Sequence, residues 1–155
     1  MGKISTGKKV PDFSLPATGD QTLSLSDFKG KNVVVYFYPK DSTPGCTLEG
    51  QDFRDEINKF RRRKTAVLGI SRDSIKSHEN FKAKQGFPFE LLSDANEKVC
   101  RLFDVIKEKN MYGKKVMGIE RSTFLIDAKG VLRREWRKVK VKGHIAEVLE
   151  AIREL

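Results

Sequence analysis

The sequence predicts an α/β fold with a central mixed sheet flanked by helices, and three observations carry that expectation. First, Val33-Val34-Val35-Tyr36-Phe37-Tyr38 is apolar or aromatic without alternation, as expected of a strand buried on both faces. Second, a helical stripe of Cys46, Phe53, Ile57 and Phe60 follows over residues 44–62. Third, Thr65-Ala66-Val67-Leu68-Gly69-Ile70 is a second buried strand. Strand, long helix, strand in that order reads as a right-handed parallel crossover.

The other elements follow in order. Residues 1–10 read as a lead-in. Phe13-Ser14-Leu15 and Leu23-Ser24-Leu25 alternate as two short strands around Thr18-Gly19-Asp20, an N-terminal β-hairpin extension. Ser26-Asp27-Phe28-Lys29-Gly30 reads as one helical turn ended by glycine. Ser74 caps a helix to about Gln85, stopped by Gly86. Phe89-Glu90-Leu91-Leu92 is a short edge segment, and Asp94-x-x-Glu97 reads as a capping box for a helix through Phe103. Residues 107–118 are polar and glycine-containing, a loop. Segments 122–126 and 131–136 flank the hairpin turn Asp127-Ala128-Lys129-Gly130. Ile145, Val148, Leu149, Ile152 and Leu155 mark a last amphipathic helix.

At 155 residues with 38% hydrophobic content, the chain reads as one domain, 1–155, with its own core. No apolar run approaches membrane-spanning length, and no signal-peptide core is present, so the expected address is cytoplasmic. Met1-Gly2 with Thr6 gives only a short match to a myristoylation signal. The two cysteines, Cys46 and Cys100, form neither a disulfide framework nor a CxxC pair, which argues against a zinc ribbon and a dithiol oxidoreductase. His78 and His144 read as surface residues on separate helices, without ligand spacing. The net charge is +10, densest at Arg61-Arg62-Arg63-Lys64 and from Arg133 to Lys142. Such a surface attracts polyanions or an acidic protein, yet no nucleic-acid motif accompanies it, and a solvated face is the expected meaning.

The stretch after the first buried strand carries the chemistry. Pro39 ends the strand, Thr43 suits a helix N-cap and Pro44 the first helical position. Cys46 then falls in the first turn, where unpaired N–H groups and the helix dipole favour a thiolate, the nucleophilic form. The carboxyl end of a central strand is also where open α/β sheets place ligands. The Pro-Gly turn lets backbone approach the sulfur, which packing alone does not require.

Pro39-x-x-x-Thr43-x-x-Cys46 resembles the peroxidatic motif of the peroxiredoxins. The longer run Tyr38-Pro39-Lys40-Asp41-Ser42-Thr43-Pro44-Gly45-Cys46-Thr47-x-Glu49 is similar to the peroxiredoxin Q branch, also called bacterioferritin comigratory protein. Pro11-Asp12-Phe13, Leu92-Ser93-Asp94 and Gly118-Ile119-x-Arg121-Ser122-Thr123-Phe124-Leu125-Ile126-Asp127 extend the similarity over nearly the whole chain. The resemblance implies a thioredoxin-like fold and a thiol peroxidase that reduces hydrogen peroxide and organic hydroperoxides, with no metal, haem or flavin.

It also implies roles. Cys46 supplies the sulfur, Arg121 the cation, and Thr43 a hydroxyl that accepts and donates; Pro39 and Pro44 shield the sulfur. The amides of Gly45 and Cys46 can donate to peroxide, and Glu49, one turn after Cys46, can orient the arginine, although its spacing also suits an ordinary surface carboxylate. A sulfenic acid on Cys46 must be resolved by a thiol. Here the chain departs from the branch pattern: the position five residues after Cys46 is Gln51, and Phe81-Lys82-Ala83 has no cysteine either. Cys100 is the remaining candidate for a resolving cysteine and reads as a half-buried structural residue. The expected cycle is therefore of one-cysteine type, with thioredoxin, glutaredoxin or a small thiol as reductant and a monomer or weak dimer as the assembly. The other classes weighed are a thiol–disulfide oxidoreductase of thioredoxin fold, disfavoured by the missing CxxC, and a basic non-enzymatic binding module with Cys46 vestigial, disfavoured by the intact Thr43, Cys46 and Arg121.

Overall fold

The computed structural model describes residues 3–155, so Met1 and Gly2 of the myristoylation match lie outside the described residues. The strands are β1 (Ser14–Ala17), β2 (Gln21–Ser24), β3 (Asn32–Phe37), β4 (Thr65–Ser71), β5 (Glu90–Ser93), β6 (Ile106–Met111), β7 (Lys114–Ile119), β8 (Ser122–Ile126) and β9 (Leu132–Trp136). The α-helices are α1 (Pro44–Asp55), α2 (Ile57–Arg62), α3 (Ile75–Gln85), α4 (Lys98–Leu102) and α5 (His144–Arg153). A 3₁₀ turn at Leu25–Phe28 takes the place of the single helical turn expected there.

Seven strands form one mixed sheet in the order β2-β1-β5-β4-β3-β8-β9. β3 pairs parallel with β4 and antiparallel with β8, as a buried central strand must if both its edges are filled. Alternate β3 residues feed two cores. Val33, Val35 and Phe37 pack on one face with Phe103, Phe124 and Cys100. Val34, Tyr36 and Tyr38 pack on the other with Cys46, Phe53, Phe60 and the inward residues of α5. The two cysteines thus belong to cores on opposite faces of the sheet.

Several expectations are corrected. Residues 89–92 are not an edge: β5 lies inside the sheet between β1 and β4. The N-terminal lead-in is tied down, with Lys9 bridging Val131 and the amide of Val10 donating to Gly130 O at 2.9 Å. The helix over 44–62 breaks at Glu56, whose amide bonds three residues back, to Phe53 O, at 3.3 Å. The loop over 107–118 is instead the antiparallel hairpin β6–β7, apart from the main sheet. Its sequence reads as a loop because β7 is exposed from Lys114 to Met117 and buries only Gly118 and Ile119. No capping box starts α4. Glu97 is left-handed (φ 65°), and the Asp94 carboxylate accepts from the amides of Val99 (3.2 Å) and Cys100 (2.6 Å). Both histidines are buried, not on the surface. Their hydrogen-bond partners lie tens of residues away, so no local pattern announces them.

Candidate active site

The site forms where β3 hands the chain to α1. Pro39 and Lys40 leave the sheet, Ser42 turns in the left-handed region (φ 63°), and Thr43 is the N-cap with Pro44 at the first helical position, as the sequence predicts. The Thr43 hydroxyl does not cap its own helix; it donates to Lys40 O at 2.8 Å, which ties the loop across its base. The first helical bond runs from the Thr47 amide to Thr43 O. That leaves the amides of Gly45 and Cys46 without a backbone partner among the described residues, as helix geometry requires.

Cys46 is buried, and its Sγ accepts from Arg121 Nη2 at 3.3 Å. Arg121 arrives from the start of β8, where its own carbonyl is held by the Val139 amide at 2.9 Å. Its Nη1 donates to Glu49 Oε1 at 2.6 Å. The guanidinium fork therefore spans a carboxylate and a sulfur, a task for which a planar group with several donors suits better than an ammonium. Glycine at position 45 makes room: a Cβ there would sit 3.1 Å from Arg121 Nη2.

Glu49 is fully buried, not a surface carboxylate, and its second oxygen, Oε2, has no hydrogen-bond partner among the described residues. Burial raises its carboxyl to about 7; Arg121 pulls the other way but satisfies only one oxygen. Burial also works against charge on Arg121, yet Glu49 and Cys46 outweigh it and hold the guanidinium above its ordinary value. The cation at the sulfur is therefore permanent, and it stabilises negative charge there and on an oxygen placed beside it. Lys109 on β6, which donates to Ile119 O, is a second cation in this field; burial, with Arg121 and Arg72, lowers it. Lys109 lies on the β6–β7 hairpin, whose polar sequence carries no signal for it.

The structure thus brings together Cys46, Arg121, Glu49, Gly45, Pro44 and Thr43, with Pro39 at the strand end. It does not bring Cys100 to them. Cys100 is fully buried in the opposite core, and burial, with Asp94 beside it, pushes its thiol well up.

A sheet of this order carrying a cysteine at a helix start, in the grip of an arginine, defines the class of thioredoxin-fold thiol peroxidases. The chain belongs to the AhpC/TSA family, whose model matches residues 6–135. Peroxiredoxin Bcp of Xanthomonas campestris pv. campestris is 56% identical over 142 residues, covering 92% of this chain and 89% of that protein. Peroxiredoxin Bcp of Bacillus subtilis is 51% identical over 152 residues, covering 98% and 97%. Among solved structures, a cysteine-to-serine mutant of PrxQ from Xylella fastidiosa superposes with a TM-score of 0.93 at 45% identity, covering 97% and 96%. The Xanthomonas campestris bacterioferritin comigratory protein, solved to study its alkyl peroxide reduction, gives 0.88 at 54% identity, covering 92% and 90%. The resemblance to the peroxiredoxin Q branch holds, and with it the thioredoxin-like fold and thiol peroxidase chemistry. No helix among the described residues is long and apolar enough to cross a membrane.

Proposed function

We propose that the protein reduces hydrogen peroxide and organic hydroperoxides through Cys46 in a one-cysteine cycle. The observation that carries this is the Arg121 guanidinium shared between Cys46 Sγ and Glu49 at the start of α1. In the first step the Cys46 thiolate attacks the terminal peroxide oxygen. An S–O bond forms, the O–O bond breaks, and the leaving alkoxide or hydroxide takes up a proton to become alcohol or water. Sulfur is oxidised by two electrons and the peroxide reduced by two. Arg121 and the amides of Gly45 and Cys46 donate to the oxygens as charge develops, and the Thr43 hydroxyl, with its proton on Lys40 O, presents its lone pairs to the peroxide hydrogen. Pro39 and Pro44 limit water around the sulfur. Glu49 orients Arg121.

The sulfenic acid then reacts with an external thiol, giving a mixed disulfide and water; a second thiol releases Cys46 and an external disulfide. Thioredoxin, glutaredoxin or a small thiol can supply both equivalents. Cys100 is a poor internal partner on two counts. A disulfide needs Cα atoms within about 7 Å, and the sheet stands between the two cores. A thiol whose pKa is raised by burial is also a weak attacker.

The test is turnover with a thiol reductant. Cys46→Ser should abolish it, and Cys100→Ser should retain it with a sulfenate as the product of one equivalent of peroxide. A Cys100→Ser variant that stalls and over-oxidises, beside a parent that forms an intramolecular Cys46–Cys100 bond, would make Cys100 the resolving cysteine.

A further inference from the structure

Beneath the peroxide-facing loop lies a buried polar cluster to which the chemistry above assigns no work. Asp41 sits in that loop and is buried. Its Oδ1 accepts from the Tyr38 hydroxyl at 2.6 Å, and its Oδ2 faces both the Ser77 hydroxyl at 2.8 Å and His78 Nδ1 at 2.7 Å. The other ring nitrogen of His78, Nε2, lies 2.9 Å from Leu92 O, a pure acceptor. Both nitrogens of a fully buried ring therefore face oxygen acceptors. Nε2 donates to the carbonyl, and Nδ1 shares a hydrogen bond with the carboxylate, with the Tyr38 hydroxyl 3.4 Å from that nitrogen. Burial first, then Tyr36 and Asp41, hold the Tyr38 hydroxyl well above its ordinary value, so it too stays a donor.

The backbone of the loop is gripped by the same cluster. The Asp41 amide donates to Asp73 Oδ2 at 2.9 Å, Asp73 Oδ2 also accepts from Ser71, and Ser93 donates to the Asp73 carbonyl at 2.6 Å. The ends of β3, β4 and β5 are thus cross-braced at Asp41. Asp41, Asp73 and His78 could in outline ring an ion. Their facing atoms are already taken up by these bonds, so the cluster reads as a closed brace and not as a cation site.

We propose that His78 and Asp41 are positioning residues for peroxide reduction. The hydrogen bond between them fixes residues 40–43, including the left-handed turn at Ser42, and so sets Thr43 and the amides of Gly45 and Cys46 where the peroxide must lie. This rests on the peroxidase reading above. The chain path is short: Asp41 is two residues from Thr43, and Thr43 is hydrogen-bonded to Lys40. A displacement of about 1 Å in such a loop can cost on the order of a hundredfold in rate.

The experiment compares two reactions of Cys46 at neutral pH: oxidation by hydrogen peroxide, which needs the loop, and alkylation by iodoacetamide, which needs only the nucleophilic sulfur. In His78→Gln and in Asp41→Asn, oxidation should slow on the order of ten- to a hundredfold while alkylation stays within about threefold of the parent. The double variant should be little slower than the worse single one, because the two residues act as one unit. Should His78→Gln fail to fold, Ser77→Ala, at a half-buried position, removes one donor to Asp41 and should slow oxidation by about three- to tenfold, again sparing alkylation. Oxidation within threefold of the parent in Asp41→Asn and Ser77→Ala overturns the proposal. So do losses that multiply in the double variant, or alkylation that falls in step with oxidation. A parent protein whose Cys46 reacts with peroxide no faster than in the urea-unfolded chain sinks the peroxidase reading itself, which separates the two failures.

Discussion

Arg121 does at the scale of one residue what no other side chain near the sulfur can. Its two terminal nitrogens donate to different acceptors, Glu49 Oε1 at 2.6 Å and Cys46 Sγ at 3.3 Å. Arg121→Lys keeps the charge but cannot reach both, so we expect peroxide oxidation of Cys46 to slow by about a hundredfold, and Arg121→Ala by more, in stopped-flow experiments, with the protein still folded. Near-normal rates in the lysine variant would show that a point charge suffices. Gly45→Ala tests the same contact from the backbone side: its Cβ must push on the guanidinium at 3.1 Å, and a smaller loss, about tenfold, is expected. Cys46, Thr43 and Arg121 could be picked out from the sequence because the motif is contiguous or flanks a recognisable strand. His78 could not. Its neighbours Lys76, Ser77, Glu79 and Asn80 make it look exposed, and its partner Asp41 lies 37 positions earlier. His144 is hidden from a local reading for the same reason, its partner Thr123 being 21 positions away on β8.

At the scale of elements, the buried strands and the α3 cap were legible because each rests on a local signal. Ser74 Oγ does accept from the Ser77 amide and Gly86 does close α3 in the left-handed region (φ 65°). The β6–β7 hairpin was illegible because both its faces are largely polar; its one signal was Tyr112-Gly113, where both residues take positive φ (53° and 77°), as a type I′ turn demands. The start of α4 departs from the capping box that the Asp94 and Glu97 spacing suggests, although Asp94 is the residue that serves it. Asp94 is fully buried at the end of β5 and serves two amides of α4 that would otherwise be orphaned. Asp94→Ala should therefore cost on the order of 2 kcal/mol in urea denaturation, more than an exposed cap loses. A change under about 0.5 kcal/mol would mean that water replaces the carboxylate at no cost.

For the whole molecule, two buried groups that feel the charge of Arg121 set opposing pH dependences. His144 is lowered from 6.5 to about 4, by burial first and Arg121 second. The unfolded chain then binds the extra proton, so this contribution is fully present above pH 6.5 and is lost as pH falls from there through 4. Glu49 is raised from 4.5 to about 7 by burial. Here the folded state keeps the proton, so stability falls as pH climbs from 4.5 through 7. Each shift corresponds to about 3 kcal/mol at most, and between roughly pH 4.5 and 6.5 the two slopes nearly cancel. Urea denaturation of the parent across that window should therefore be nearly flat. Glu49→Gln removes one arm and should leave stability rising with pH, by up to about 3 kcal/mol across the window. His144→Gln removes the other and should leave it falling by a similar amount. Parallel pH profiles in the parent and both variants would show that neither group titrates differently in the folded and unfolded chain. A parent profile that rises with pH across the window, and rises less steeply in Glu49→Gln, would mean that Arg121 wins over burial and keeps Glu49 ionised.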